Sequence, residues 1–209
     1  MIDNFEKIKP LLVFGENTYY YLQIIQRRKD PGNENIRTPE QQKWSKFIVS
    51  TKDLDSFKED IIGICKLFNA RAYIELNPRC LEKFSILSAR RLLDRIYLKN
   101  YNRIGSLRNK VALDEDTIRT RGLIPGRRWI VDVDNKDWYE EIKDWLLKEK
   151  VNIVETLPTL NGYHIIVEAF NYKSLNIKLE KDIIIKDDIV TCIKPFSNTL
   201  LYYETRLYL

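Results

Sequence analysis

Arg127-Arg128-Trp129-Ile130-Val131-Asp132-Val133-Asp134 is the stretch from which the fold is read. Its apolar centre marks a buried strand. Side chains alternate along a strand, so Trp129, Val131 and Val133 share one face and Ile130, Asp132 and Asp134 the other. Two carboxylates therefore point the same way at the end of a strand that is otherwise core. Burying an ionised carboxylate without a partner is costly. A compensating cation is required, and a divalent metal is one candidate. The structural alternative is that Asp134 ends the strand and Asp132 pairs with a nearby arginine.

Downstream, residues 137–149 predict a helix. Asp137 and Glu140 resemble a capping box, and Trp138, Ile142, Trp145 and Leu146 form the apolar face. Strands are expected over 151–160 and 163–170. They flank Asn161-Gly162, the preferred pair for a two-residue type I′ hairpin turn. A short helix over 172–180 and strands over 181–193 and 198–203 follow. This succession suits a ferredoxin-like or RNA-recognition-type antiparallel sheet. His164, the single histidine of the chain, sits close to the turn and so near the rim of that sheet. Taken alone it reads as a structural or surface histidine.

Upstream, a short helix over 3–13 is limited by Pro10. Thr18 to Arg28 reads as a strand ending in Arg27-Arg28-Lys29. Residues 30–45, with Pro31, Gly32 and Pro39, read as a long loop. A second strand over 46–51 is expected to pair with the first. Phe57, Ile61, Ile64 and Phe68 mark an amphipathic helix over 53–68, capped by Asp53 or Asp55 and ended by Asn69. Arg71 to Asn77 alternates cleanly: Ala72, Ile74 and Leu76 face one way, and Arg71, Tyr73, Glu75 and Asn77 the other. A further helix over 81–98 carries the stripe Ala89, Leu92, Leu93 and Ile96, with Arg90, Arg91 and Arg95 on its solvated faces.

Residues 101–128 hold seven basic and three acidic side chains, a local net charge of +4 in a chain whose formal charge is +5. Gly105, Gly122, Pro125 and Gly126 interrupt them. A partly irregular connector is expected here, either a solvated linker or a surface that steers a polyanion. The organisation read from the sequence is α+β. An N-terminal α/β unit spans 1–100, a basic connector 101–126, and a unit bearing the aspartate and histidine motifs 127–209.

The chain has 209 residues, 44% hydrophobic and 31% charged, which fits a globular protein of one domain or two small ones. Cys65, Cys80 and Cys192 are far apart, so neither a zinc site nor a disulfide framework is expected. A reduced, cytoplasmic setting follows. No apolar run approaches a membrane span, and the N-terminus has no secretory signal pattern.

These motifs resemble those of the archaeo-eukaryotic primase superfamily, which includes the primase-polymerases. That family places a metal-binding Asp-x-Asp at a strand end. A small residue, any residue and a nucleotide-contacting histidine come later, and a third acid after a hydrophobic residue. Asp132-Val133-Asp134 resembles the first motif and Gly162-Tyr163-His164 the second. Arg71-Ala72-Tyr73-Ile74-Glu75-Leu76-Asn77 resembles a strand of the family's N-terminal unit. Gly162 stands where the family usually has serine. No aspartate after residue 164 directly follows a hydrophobic residue, which leaves Asp188, or its neighbour Asp187, for the third ligand.

The resemblance implies an N-terminal α/β unit packed on a recognition-motif-like sheet. It also implies a template-dependent nucleotidyltransferase working with Mg²⁺ or Mn²⁺. Asp132, Asp134 and Asp188 would be the catalytic metal ligands, His164 and Arg128 would bind the nucleotide, and Arg119, Arg121 and Arg127 the nucleic acid. Expected partners are a single-stranded DNA or RNA template and nucleoside triphosphates, with a helicase as a candidate replication partner. The competing classes are a non-catalytic nucleic-acid-binding module on the same fold, with Tyr73 or Tyr163 stacking bases, and a metal-dependent nuclease. A structural protein is a further alternative. A rolling-circle initiator is disfavoured, because its paired-histidine metal motif cannot be built from one histidine.

Overall fold

Strand β2 (Thr18–Arg27) forms a long hairpin with β3 (Glu40–Ile48), as the sequence predicts. The computed structural model describes residues 1–119, 123–171, 193–194 and 198–204, with backbone alone for Arg103 and for 193–194. β3 starts earlier than expected and forms a sheet edge, where Glu40 and Gln41 are exposed while Gln42 hydrogen-bonds Tyr21 and Asn109. On its other side β2 pairs with β4 (Arg71–Glu75), and its first residues pair with β5 (Arg79–Cys80). β1 (Ile2–Asp3), followed by the short helix α1 (Phe5–Ile8), closes the far edge. This first sheet is antiparallel, in the order β1-β10-β4-β2-β3, with β10 at Asn198–Tyr203.

Two helices replace the single one expected after β3. α2 (Thr51–Ser56) and α3 (Lys58–Phe68) meet at Phe57. The cap is Ser50 rather than Asp53 or Asp55: its side chain accepts from the Asp53 amide. Asn69 ends α3 in the left-handed region, at φ 48°, ψ 54°, as predicted. Ile61 and Cys65 of α3 join Leu22, Ile24, Ala72 and Ile74 in the main core. The alternation of β2 sends Tyr19 and Tyr21 to the opposite face. There they meet Ala112, Phe47 and Phe84 beneath α4 (Leu81–Tyr97) and α5 (Leu107–Ala112). Tyr19 donates to the Ala112 carbonyl at 3.1 Å and Tyr21 to Asn109 Oδ1 at 2.9 Å. Much of the connector is thus folded onto the first sheet.

The orientation of α4 departs from expectation. Of its predicted inward stripe, Ala89, Leu93 and Ile96 are exposed. The half-buried side carries Phe84, Leu87, Ser88, Arg91, Leu92 and Arg95, so only Leu92 of the expected stripe turns inward. An ion pair from Arg91 to Asp114 holds that side inward.

The second sheet has the order β7-β8-β6-β9. Its strands are β6 (Arg128–Val133), β7 (Ile153–Pro158), β8 (Tyr163–Glu168) and β9 (Ile193–Lys194). Val131 and Val133 pack against Ile142, Trp145 and Leu146 of α6 (Tyr139–Lys148), with Trp129 at the margin, as the alternation requires. Asn135 rather than Asp137 accepts the capping hydrogen bond ahead of α6. On the other face, Ile130, Leu157 and Ile166 enter the same core as the first sheet.

The last strand crosses over. β10 was expected in the second sheet, but it pairs with β1 and β4 in the first. From Thr199 to Tyr203 every residue is buried, and such a strand needs a central place with both faces covered. The helix expected over 172–180 and most of the strand expected over 181–193 lie outside the described residues. Among those described, no helix is long and apolar enough to cross a membrane. The class is α+β, with antiparallel sheets.

Candidate functional site

A cleft of about 570 Å³ opens between the two sheets. One wall is the end of β6 with the β7–β8 hairpin, and the other is the part of the first sheet's Tyr19–Tyr21 face that α4 and α5 do not cover. Asp132 sits opposite His164 in the β6–β8 register. His164 Nε2 lies 3.2 Å from Asp132 Oδ1, and its Nδ1 lies 2.9 Å from Thr199 Oγ1. Thr199, fully buried on β10, therefore ties the first sheet to the histidine of the second. Asp134 lies just past the end of β6, exposed, and lines the same cleft. The three motif residues thus line one cleft, with Asp132 and His164 in contact.

The hairpin that carries His164 differs from the predicted turn. The connection is the four-residue loop 159–162, closed by the Thr159 amide donating to the Gly162 carbonyl at 2.9 Å. Gly162 also donates to Thr159 Oγ1 at 3.1 Å. Neither Asn161 nor Gly162 has a positive φ, so no type I′ turn forms. The glycine serves close approach instead: a Cβ there would lie 1.7 Å from the Val133 carbonyl oxygen and 3.1 Å from the Asp134 carbonyl carbon. The hairpin backbone presses directly on the Asp-x-Asp segment, which leaves no room for a side chain at position 162.

The opposite wall carries three cations, Arg27, Lys29 and Arg71, and two carboxylates, Asp30 and Glu40. Ile25 and Arg27 of β2, Arg71 and Tyr73 of β4 and Leu200 of β10 line it, and the β2–β3 loop adds Lys29 and Asp30. Arg27 pairs with Glu40 at 3.0 Å and donates to the Tyr73 hydroxyl at 3.2 Å. Arg71 makes a two-pronged contact with Asp30, at 2.8 and 2.5 Å, and lies 4.7 Å above the Tyr203 ring. Burial pulls the Arg71 pKa down, but the Asp30 hydrogen bond and the negative charge of its neighbours carry it above the usual value. The loop is fixed by Asn33, whose amide donates to the Arg27 and Asn69 carbonyls, and by Asn69 donating to Pro31.

The residues available to a cation are oxygen donors. Asp132 and Asp134 line the cleft together with Asn198, whose Oδ1 is buried with no hydrogen-bond partner among the described residues. Two carboxylates and an amide oxygen suit a hard ion such as Mg²⁺ or Mn²⁺. Among the described residues no group of three His, Cys, Asp or Glu side chains is close enough together to hold a metal ion by itself. Asp188, expected as the third ligand, lies outside them, as does Arg121.

The other predicted arginines sit elsewhere. Arg128 does not line the cleft: its buried guanidinium donates to the Leu11 carbonyl and to that of Leu76 at 3.3 Å. Burial lowers its pKa below the usual arginine range, against the opposing pull of Tyr20 and Glu168. Its backbone is clamped by Asn77, which accepts from the Arg128 amide at 2.8 Å and donates to the Arg128 carbonyl at 2.9 Å. Arg119 donates to the Glu16 carbonyl, and Arg127 lies 3.9 Å from Glu115. Tyr163 stacks on Tyr139 at 4.3 Å, while Tyr73 faces the cleft.

Sequence reading missed Arg27, Lys29, Arg71 and Asn198 as site residues. Two signals pointed to the arginines: the basic end of β2, and the alternation that put Arg71 and Tyr73 on one face. Nothing local marks Asn198. No protein-family model, curated protein or solved structure matches this chain.

Proposed function

We propose that the cleft is the site of a template-dependent nucleotidyltransferase of the primase-polymerase type, working with Mg²⁺ or Mn²⁺. One observation carries the reading: Asp132, Asp134 and His164 face Arg27, Lys29 and Arg71 across a single cleft. Its volume lies within the roughly 300–1,000 Å³ usual for small-ligand sites. Two carboxylates on one wall, and on the other three cations of which Asp30 and Glu40 pair with two, suit a metal-bound triphosphate, whose anionic oxygens need both a metal and cationic donors.

Asp132, Asp134 and the Asn198 amide oxygen would hold the cation, with Asp188 as the further candidate ligand. A bound cation would polarise the α-phosphate and lower the pKa of an attacking 3′-hydroxyl. Arg27, Lys29 and Arg71 neutralise the phosphates. Asp30 and the Tyr203 ring set the plane of the Arg71 guanidinium in advance, so little ordering remains to be done on binding. His164 orients Asp132 through Nε2 and stands beside the phosphates. Arg119, Arg121 and Arg127 would contact template phosphates without reading sequence. The strand–helix–strand–strand succession and the order β7-β8-β6-β9 support a ferredoxin-like second sheet joined to a primase-like whole.

A second reading, a nucleic-acid-binding module without catalysis on this fold, is favoured by the lack of a third converging acid among the described residues. Calorimetric titration separates the two. The first reading predicts nucleoside triphosphate binding that requires Mn²⁺ and disappears in Asp132→Asn with Asp134→Asn. Template binding with no nucleotide affinity supports the second. Degradation of a labelled oligonucleotide without added nucleotides would point to a nuclease instead.

A further inference from the structure

We infer that Asn4 is a positioning residue of the cleft: its side-chain amide holds the β7–β8 hairpin and β10 at the separation that places His164. Asn4 lies between β1 and α1 and is fully buried. Its Nδ2 donates to the Pro158 carbonyl at 3.0 Å and to the Leu200 carbonyl at 2.9 Å. Pro158 ends β7 in the second sheet, and Leu200 belongs to β10 in the first. One amide thus joins the two sheets. The Asn4 backbone belongs to the first, since its N–H donates to the Leu201 carbonyl at 2.9 Å.

This joint stands beside the site. In the β7–β8 register Leu157 faces His164 and Pro158 faces Tyr163. Thr199 precedes Leu200, and its Oγ1 lies 2.9 Å from His164 Nδ1. The Asn4 fork and the His164–Thr199 contact are therefore neighbouring links between the same hairpin and the same strand. Beyond Pro158 the loop supplies Thr159, Leu160 and Asn161 to the cleft, and β10 supplies Asn198 and Leu200. A change in the separation of Pro158 and Leu200 moves both linings.

Asn4 forgoes its ordinary role to make this fork. It stands at the N-cap of α1, where an asparagine usually accepts from a helix amide. It makes no such bond, and Asp3 Oδ1 accepts from the Phe5 amide at 3.0 Å. Asn4 Oδ1 is buried with no hydrogen-bond partner among the described residues. An unmade buried acceptor costs stability, so the two donated bonds are what the position keeps. They need two donors on one short side chain. An ionised aspartate has none, serine has one, and glutamine carries its amide one methylene farther out.

The chain has one histidine, so the imidazole signals of a nitrogen–proton NMR spectrum report on His164 alone. The untagged full chain is compared with Asn4→Ala in metal-free buffer, at a temperature where circular dichroism shows both folded. Asn4→Ala should move the imidazole signals beyond their linewidth. Ile48→Val, a core truncation on β3, which β2 and β4 separate from β10, should leave them in place. A calorimetric Mn²⁺ titration extends the test to the cation, and this arm rests on the proposed metal site. Asn4→Ala should bind Mn²⁺ about tenfold more weakly, the low end of what losing a supporting partner costs a metal site, and Ile48→Val as tightly as the parent. Imidazole signals that ignore Asn4→Ala, or that move equally in Ile48→Val, overturn the inference. Unchanged Mn²⁺ affinity in Asn4→Ala overturns its role at the cation. A parent that binds no Mn²⁺ overturns the proposed metal site instead, and the imidazole signals alone then decide on Asn4. Should Asn4→Ala fail to fold, Asn4→Ser, which keeps one donor, carries the same measurements.

Discussion

Gly162→Ala adds one methyl group at the point where the β7–β8 hairpin touches the Asp-x-Asp strand. The new Cβ would stand 1.7 Å from the Val133 carbonyl oxygen, against the 3.4 Å at which contacts become ordinary. The obstacle is backbone on both sides, so no side chain can rotate out of the way. Either the hairpin lifts or the Val133–Asp134 peptide shifts, and His164 or the carboxylates move with it. Overpacking of this kind costs about 1–3 kcal/mol, occasionally more. In a chain of this length each kcal/mol lowers the melting temperature by about 2–4 °C, so a fall of roughly 3–10 °C is expected. Thermal melts with and without Mn²⁺ provide the assay. Asn161→Ala, an exposed change in the same loop, should stay within about 0.5 kcal/mol of the parent. Mn²⁺ stabilises the parent if it binds only the folded state, and Gly162→Ala should lose much of that gain. A variant that melts with the parent and keeps its full response to Mn²⁺ would refute the reasoning.

Further outcomes follow from the same geometry. Arg128→Ala should destabilise by about 2–4 kcal/mol, because two buried carbonyls lose a charged donor. A parent-like melt combined with lost nucleotide affinity would instead return Arg128 to the site. Thr199→Val removes the hydroxyl at His164 Nδ1. It should cost about 1 kcal/mol in thermal stability and weaken nucleotide binding several-fold; unchanged affinity in a nucleotide titration would make that hydrogen bond scaffold only. Burial pushes Tyr19 and Tyr20 up to about 12 from an unfolded value of 10.0. The folded state keeps these protons longer, so their contribution to stability is fully present below pH 10 and is lost as pH rises toward about 12. Phenolate absorbance should therefore rise for these two together with unfolding, and titration near pH 10 in the folded chain would contradict their burial.

Legibility followed the range of the interaction. β2, β4, β6 and the Asn69 cap were readable because alternation and cap chemistry act within a few residues. That Asp132 and His164 belong to one site was implied only by the resemblance of their motifs to a family, since His164 alone read as structural or surface, and the β6–β8 register sets the two opposite each other. The type I′ turn was misread because Asn-Gly is a local preference, whereas Gly162 answers to a backbone packed on it from β6. The face of α4 was misread at Ala89, Leu93 and Ile96, though not at Leu92: periodicity locates a stripe but not the body it faces, and the Arg91–Asp114 ion pair holds the other side inward. β10 could not be placed from its neighbours in sequence, since its partners β1 and β4 are distant along the chain. Arg128 looked basic and available beside the motif. Its burial depends on Leu11 and Leu76, which no local pattern joins to it.

Incorporation of labelled nucleotide on a single-stranded template with Mn²⁺ tests the central claim most directly. The parent chain should be compared with Asp132→Asn combined with Asp134→Asn. Removing two neighbouring carboxylates relieves their repulsion in metal-free buffer, so the double variant should melt at least as high as the parent there. The account predicts incorporation by the parent and none by that folded variant. A double variant as active as the parent, or a parent that neither incorporates nor binds nucleotide in the presence of Mn²⁺, would contradict it.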